Sequence, residues 1–313
     1  MENKNYYDVE AISNSSLSYL CREQGGSRLK YKKNYIDKKR EESESPSLRN
    51  GKLIHLYIED PSKFVVADIN KPGESMSKLV EMVSQEHLFG DLEETVLKCA
   101  RSMGYQSNWG DKAIIKSFNE KGKEYYDYLI LKKVNELVLT SSEKELIEKC
   151  VNSLYDNPYI NLELFEYPPN IERFSEYELY WTENITGLDL PCKGMIDKLD
   201  INHEEKEIII KDFKTTSKPV AKYFEAFEYW RTHRQLAFYA FGLIKQSPEL
   251  KDYKISFKVI VVETIGLHES RIFNINEDNI MLGRFEYIDL LKELAICKNN
   301  EWSKNIVYQI DSI

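Results

Sequence analysis

Two β-rich runs joined by a four-residue polar turn constrain this chain more than anything else in it. Residues 192–201 and 206–213 flank Asn202-His203-Glu204-Glu205, and β-branched residues, which suit a pleated and half-buried surface, dominate the second arm. This pattern predicts a hairpin. Ile208-Ile209-Ile210 reads as a buried strand that runs into Asp212-Phe213-Lys214-Thr215-Thr216. Side chains alternate across a strand, so Asp212 and Lys214 share a face while Phe213 points away. The first arm holds Lys193-Gly194-Met195-Ile196-Asp197, with Asp197 fifteen residues before Asp212. Each arm therefore delivers charge to one place. An acid-x-Lys triplet is common by chance and can simply end a solvated edge strand. The buried run before this one sets it apart, because charges there are costly unless paired or bound to a metal.

Ser13-Asn14-Ser15-Ser16 reads as the cap of a helix from Leu17, since such side chains accept hydrogen bonds from unpaired first-turn amides. A second helix is predicted over 47–59. Between 68 and 109 the chain turns polar, broken at Pro72-Gly73 and Gly90, with helical stretches following at 111–118 and 125–135. Residues 68–120 thus read as an insertion or accessory helical region. Leu146, Ile147, Cys150, Val151 and Leu154 have helical spacing over 143–155, and Asn157-Pro158 ends that run. Residues 177–181 alternate as a strand, 220–244 read as one long aromatic-rich helix, 255–263 as a strand and 278–298 as a final amphipathic helix. Strand, helix, strand in that order predicts an α/β fold with a right-handed crossover and a mixed sheet flanked by helices. A chain of 313 residues with 42% hydrophobic residues can bury one substantial core, and a single domain over 1–313 carrying the insertion is expected.

The formal charge of -9 argues against a protein that coats nucleic acid, so any DNA contact must be local. One segment offers it: residues 28–40 hold Arg28, Lys30, Lys32, Lys33, Lys38, Lys39 and Arg40 around Tyr31 and Tyr35. Arg28, Lys30, Lys32 and Lys33 either face solvent on a helix or contact phosphate. The five cysteines are far apart with no C-x-x-C pair, which points to reduced, structural thiols and away from zinc or an iron-sulfur cluster. The polar, acidic first ten residues and the lack of a long apolar run predict a soluble, cytoplasmic chain with no membrane partner.

Two carboxylates from adjacent strands make half a site for a hard cation such as Mg2+ or Mn2+, which takes oxygen ligands, keeps several waters and leaves room for a phosphate oxygen. Lys214 would stand beside the attacking water. That chemistry suits phosphodiester hydrolysis.

The ordered set of motifs resembles the PD-(D/E)xK nuclease superfamily, in its RecB-like and RecE-like exonuclease branch. The resemblance rests on the Ser-rich helix start at Ser13, on Gly51-Lys52-Leu53-Ile54-His55, and on Glu178 in Glu176-Tyr177-Glu178-Leu179-Tyr180-Trp181. Lys193-Gly194-Met195-Ile196-Asp197, Asp212-Phe213-Lys214-Thr215-Thr216 and Gln235-Leu236-Ala237-Phe238-Tyr239 complete it. It implies a restriction-endonuclease-like fold. It implies metal ligands at His55, Asp197 and Asp212, with the Phe213 carbonyl adding an oxygen and Glu178 binding a second metal or its water. Lys214 would be the catalytic lysine, with Gln235 and Tyr239 orienting it or the substrate strand. Glu176 competes with Glu178, and without its motif His55 would read as a core histidine.

Three functions compete on this fold: an exonuclease working from duplex DNA ends in recombination or DNA processing, an endonuclease or nickase, and a catalytically silent DNA-binding scaffold. The complete set His55, Glu178, Asp197, Asp212 and Lys214 argues against the last. By analogy with similar exonucleases, a homo-oligomeric ring, a single-strand annealing partner and a phage gene acting in a bacterial cytoplasm are expected. The aromatics Phe224, Phe227, Tyr229, Trp230 and Phe238 read as packing residues rather than base-stacking platforms.

Overall fold

The computed structural model describes residues 5–39, 45–69, 71–87, 89–134, 137–166 and 168–307. Arg40 and Asn135, named above, lie outside the described residues. In chain order the α-helices of five residues or more are α1 (Asn14–Ser18), α2 (Pro46–Glu59), α3 (Glu74–Glu86), α4 (Leu92–Ser102), α5 (Asp111–Lys121), α6 (Lys123–Val134), α7 (Ser141–Asp156) and α8 (Pro158–Leu164). Three strands follow, β1 (Glu172–Ile185), β2 (Leu188–Asn202) and β3 (Glu207–Thr216). Then come α9 (Tyr223–Tyr229), α10 (Thr232–Gln246), β4 (Lys254–Glu263), β5 (Ser270–Ile275) and α11 (Glu277–Asn299). The chain divides into two compact units, Met1–Gly51 with Cys150–Ile313, and Lys52–Lys149.

The first unit is built on one mixed sheet in the order β1-β2-β3-β4-β5, with only β3 and β4 parallel. This is the α/β sheet with flanking helices that the sequence predicts. The β2–β3 turn forms as expected: Asn202 Oδ1 accepts the amides of Glu204 and Glu205, each at 3.1 Å, which closes the turn locally. Ile208 and Ile210 are fully buried with Leu199, Leu236, Phe238 and Leu291. Each such aliphatic side chain contributes about 1.5–3 kcal/mol on burial. The edge strand β5 is not foreseen by the sequence reading.

Several helices differ from expectation. α1 begins at Asn14, three residues before Leu17, because Ser13 and Ser16 form a reciprocal capping box. Pro158 does not merely end a helix; it opens α8, with Asn157 accepting the first-turn amides. The single helix expected over 220–244 is broken into α9 and α10 at Arg231, whose φ of 53° lies in the left-handed region. Phe227 and Phe238 pack as expected, but Phe224, Tyr229 and Trp230 are exposed, because the break turns them out of the core.

The second unit is a helical cluster with its own core. Met76, Leu79, Val80 and Val83 on α3 meet Val96, Cys99 and Ala100 on α4, Ile114 and Phe118 on α5, and Tyr125 and Tyr126 on α6. The stretch read as polar over 68–109 therefore holds two amphipathic helices, whose apolar residues recur at three- and four-residue intervals among many charges. All five cysteines are free and buried. Among the described residues no helix is long and apolar enough to cross a membrane.

Candidate active site

The site forms where the sheet loses its regularity. β1 and β2 keep one register from Glu172↔Ile201 to Ile185↔Leu188, but Glu176 and Asp197, which face each other, drop out of the ladder. Glu176 has a φ of 48°. On β2 the core-facing set changes phase there, from Leu190, Cys192 and Ile196 to Leu199 and Ile201. The β2–β3 ladder also stops short, at Lys198↔Lys211. One residue beyond that pair, continued register would set Asp197 against Asp212. Instead the Phe213 amide donates to Asp197 Oδ2 at 2.7 Å, so a side chain replaces the backbone partner and the strands splay. β3 meanwhile stays paired with β4 along its whole length.

Asp212 is 1% exposed, and Lys214 Nζ lies 2.8 Å from its Oδ1 and 2.7 Å from its Oδ2. Gln235 Nε2 donates to the same Oδ1 at 3.0 Å and to Tyr239 Oη at 2.9 Å. Burial disfavours the Lys214 charge, but the charges of Asp212 and then Asp197 outweigh it and raise the pKa, so the side chain is an ammonium. Tyr239 is held neutral, first by burial and then by the Asp197 and Asp212 charges. Tyr223, beneath Lys214, has its phenol pushed up to about 12, mainly by burial.

Helix α10 reaches this position through two close approaches. The side chain of Arg234 is fully buried and donates to Asn14 Oδ1 at 2.9 Å, Ser18 Oγ at 2.8 Å and Gln24 Oε1 at 2.9 Å. The Ser-rich helix start thus anchors the residue next to Gln235. Gly194 lies under the Tyr239 ring: a Cβ there would stand 2.9 Å from Cδ1 and 3.0 Å from Cε1. Gly194→Ala is expected to cost about 1–3 kcal/mol, as overpacking does, and to lower turnover by moving Tyr239 and Gln235. Thermal melting and a cleavage assay on the same sample check both. Gly51 makes a similar approach, with a Cβ position 2.9 Å from Thr215 Oγ1.

The structure brings together Asp197, Asp212, Lys214, Gln235 and Tyr239. Glu178 is exposed and accepts a hydrogen bond from Tyr180 Oη at 2.7 Å; Glu176 occupies the irregular position opposite Asp197. His55 stands half-buried on α2 in the second unit. His233 is fully buried, 3.1 Å from Glu286. Thr216 Oγ1 accepts the Lys218 amide at 3.1 Å and closes the turn after β3. The basic segment is answered by the chain's own groups. Arg28 donates to Glu293 Oε1 and the Ile306 carbonyl, both at 3.0 Å, Lys30 to the Gly25 carbonyl at 2.5 Å and Lys32 to Asp37 at 2.6 Å. Lys33 lies in the π-helical turn that follows.

Three residues at this end of the sheet escaped the sequence reading. Tyr6, Tyr7 and Lys193 gather next to Tyr180, whose hydroxyl donates to Glu178, although Lys193 opens the K-G-x-I-D motif and Tyr6-Tyr7 is an aromatic pair in an otherwise polar start.

Among the described residues no cluster of three or more His, Cys, Asp or Glu is preformed for a metal ion. The donor chemistry nevertheless fits one. Two carboxylates stand where β2 and β3 splay apart, and Asp212 already draws a cation, the Lys214 ammonium, onto both of its oxygens.

Comparison with known proteins accords with this geometry. The PD-(D/E)XK nuclease superfamily matches residues 26–268, and the chain belongs to that superfamily. Its members generally use a divalent metal, usually Mg2+. The fold is similar to a solved protein from Eubacterium rectale described as a candidate exonuclease, at 12% identity and a TM-score of 0.53, over 97% of this chain and 88% of that one. A second solved structure, SSO0001, is 14% identical over 76% of this chain and 83% of that one, with a TM-score of 0.28. No curated protein matches.

Proposed function

We propose that this protein is a divalent-metal-dependent DNA exonuclease that hydrolyses phosphodiester bonds from duplex ends, in recombination or DNA processing. The observation that carries this reading is the convergence of Asp197, Asp212 and Lys214 where β2 and β3 splay. The likeness to a protein described as a candidate exonuclease supports acting from an end. Duplex DNA is the partner this reading requires.

Asp197 and Asp212 would hold Mg2+ or Mn2+, with His55 and the Phe213 carbonyl as further ligands and Glu178 serving a second ion or its water. Bound there, the cation supplies charge for the developing phosphorane-like transition state and lowers the pKa of the attacking water. Lys214, as an ammonium, orients that water and the scissile phosphate through hydrogen bonds. Gln235 holds Asp212 Oδ1 from the helix side, and Tyr239, kept neutral, holds Gln235. Asp197 remains oriented by the Phe213 amide.

The test is digestion of linear and closed-circular duplex DNA with Mg2+ or Mn2+, with a chelator as control. Loss of linear DNA alone, stopped by chelation, is the expected result. Nicking of the circle would replace the exonuclease with an endonuclease, and no metal-dependent cleavage of either would leave a silent scaffold.

A further inference from the structure

The N-terminal turn is built like a mount. Asn5 Oδ1 accepts the Tyr7 amide at 3.1 Å and caps the turn Tyr6–Asp8. Lys193 Nζ ties down that turn from beneath, donating to the Tyr6 carbonyl at 2.8 Å and the Val9 carbonyl at 2.7 Å, with its ammonium 4.6 Å from the Tyr6 ring centre. A few residues on, the segment joins the sheet: the Ile12 amide donates to the Pro191 carbonyl and the Lys193 amide to the Ile12 carbonyl, both at 2.8 Å. Tyr6 is held between Tyr180, at 6.1 Å, and Tyr7, which meets it edge-on at 5.4 Å.

The product of this bracing is one ring in water. Tyr7 is 74% exposed, although two aromatic rings and a buried lysine support the turn that carries it. The turn stands beside the acidic strand β1, because Tyr180, against which the Tyr6 ring packs, donates from Oη to Glu178 at 2.7 Å. A lysine or arginine there would pair with that carboxylate. A tyrosine stays neutral and offers a flat face, and in a chain of charge -9 a contact that does not depend on phosphate attraction has evident use.

We propose that Tyr7 is the platform on which the nucleobase next to the scissile phosphate stacks, a role that rests on the nuclease reading. Every base has a π face, so the contact is tolerant of sequence. The site then grips one nucleotide by its base, while Asp197, Asp212 and Lys214 address its phosphate.

The test pairs Tyr7 variants with an abasic substrate under steady-state turnover. Tyr7→Ala is expected to raise KM about tenfold, the loss of one base stack, with kcat within about twofold of wild type. Tyr7→Trp keeps the wild-type KM, and so does Tyr159→Ala, which removes an exposed tyrosine elsewhere in the same unit. An abasic nucleotide beside the scissile phosphate raises the wild-type KM by the same factor and adds nothing to Tyr7→Ala. An unchanged KM in Tyr7→Ala, or losses that multiply, would overturn the stacking role while leaving the nuclease intact. A wild type that cuts no DNA would overturn both.

Discussion

Lys214→Ala is expected to lower kcat by about 10²- to 10⁴-fold, the range supplied by a positioned proton-transfer or orienting group, with KM little changed. The side chain is 29% exposed, so its truncation leaves no sealed cavity. The loss is chemical. It has a second signature that a purely structural role would not produce. Without the ammonium, the Asp212 carboxylate at 1% exposure loses the cation that lies 2.8 Å from Oδ1 and 2.7 Å from Oδ2, and taking one partner out of a buried ion pair is costly. The metal-free variant should therefore melt below wild type. Mg2+ should then raise its Tm more than it raises that of wild type, because the cation replaces a missing charge in one case and competes with a resident one in the other. Cleavage rates and melting with and without Mg2+ read both effects. Unchanged kcat would remove Lys214 from the chemistry, and equal Mg2+ shifts would remove Asp212 from the metal site.

Much of this site was legible in the sequence because its residues are set by short-range rules. Alternation along one strand puts Asp212 and Lys214 on a face, and four-residue spacing puts Gln235 and Tyr239 on one side of a helix; both placements hold. The turn at Asn202 was visible for the same reason. The rest depends on long-range packing. Nothing local marks Glu176 and Asp197 as the pair that leaves the ladder, because the disruption needs two strands in register. The break at Arg231 was masked because neither Gly nor Pro stands at it, and its left-handed backbone and the Glu286 contact, at 3.1 Å, reveal it. The helices at Glu74–Glu86 and Leu92–Ser102 were hidden by composition, since a narrow apolar stripe among Glu, Lys and Ser reads as polar when averaged. Lys193 looked like one more charge in a motif; its role as a clamp appears only once the first residues are seen to return to β2.

The back of the same strand holds a group of charges that no motif announced. On the face of β3 opposite Asp212, Lys211 is 1% exposed and lies 2.6 Å from Asp200 and 2.9 Å from Glu163. Asp200, 3% exposed, also accepts two parallel bonds from Arg173, each 2.7 Å. Glu163 in turn pairs with Lys258. Burial pushes the Asp200 carboxyl up, but the Arg173 hydrogen bond and the Lys211 charge more than reverse this, so it is held below the usual carboxylate range. Such a network gives little net stability when intact, yet removing its central member takes both parallel bonds from Arg173 and one of the two carboxylates from Lys211. Asp200→Ala is accordingly expected to destabilise the sheet unit by about 3–5 kcal/mol, whereas Lys292→Ala, which removes a solvent-exposed pair with Asp289, should barely move the unfolding midpoint. Urea titration followed by tryptophan emission measures this, since Trp181, Trp230 and Trp302 belong to the sheet unit and only Trp109 to the helical one. The same substitution should lower cleavage in the folded population, because Lys211 and Asp212 are adjacent on β3 and the strand cannot shift one without the other. A midpoint near wild type would show that Arg173 and Lys211 reach water once Asp200 is gone, and the network would then have no part in holding Asp212 in place.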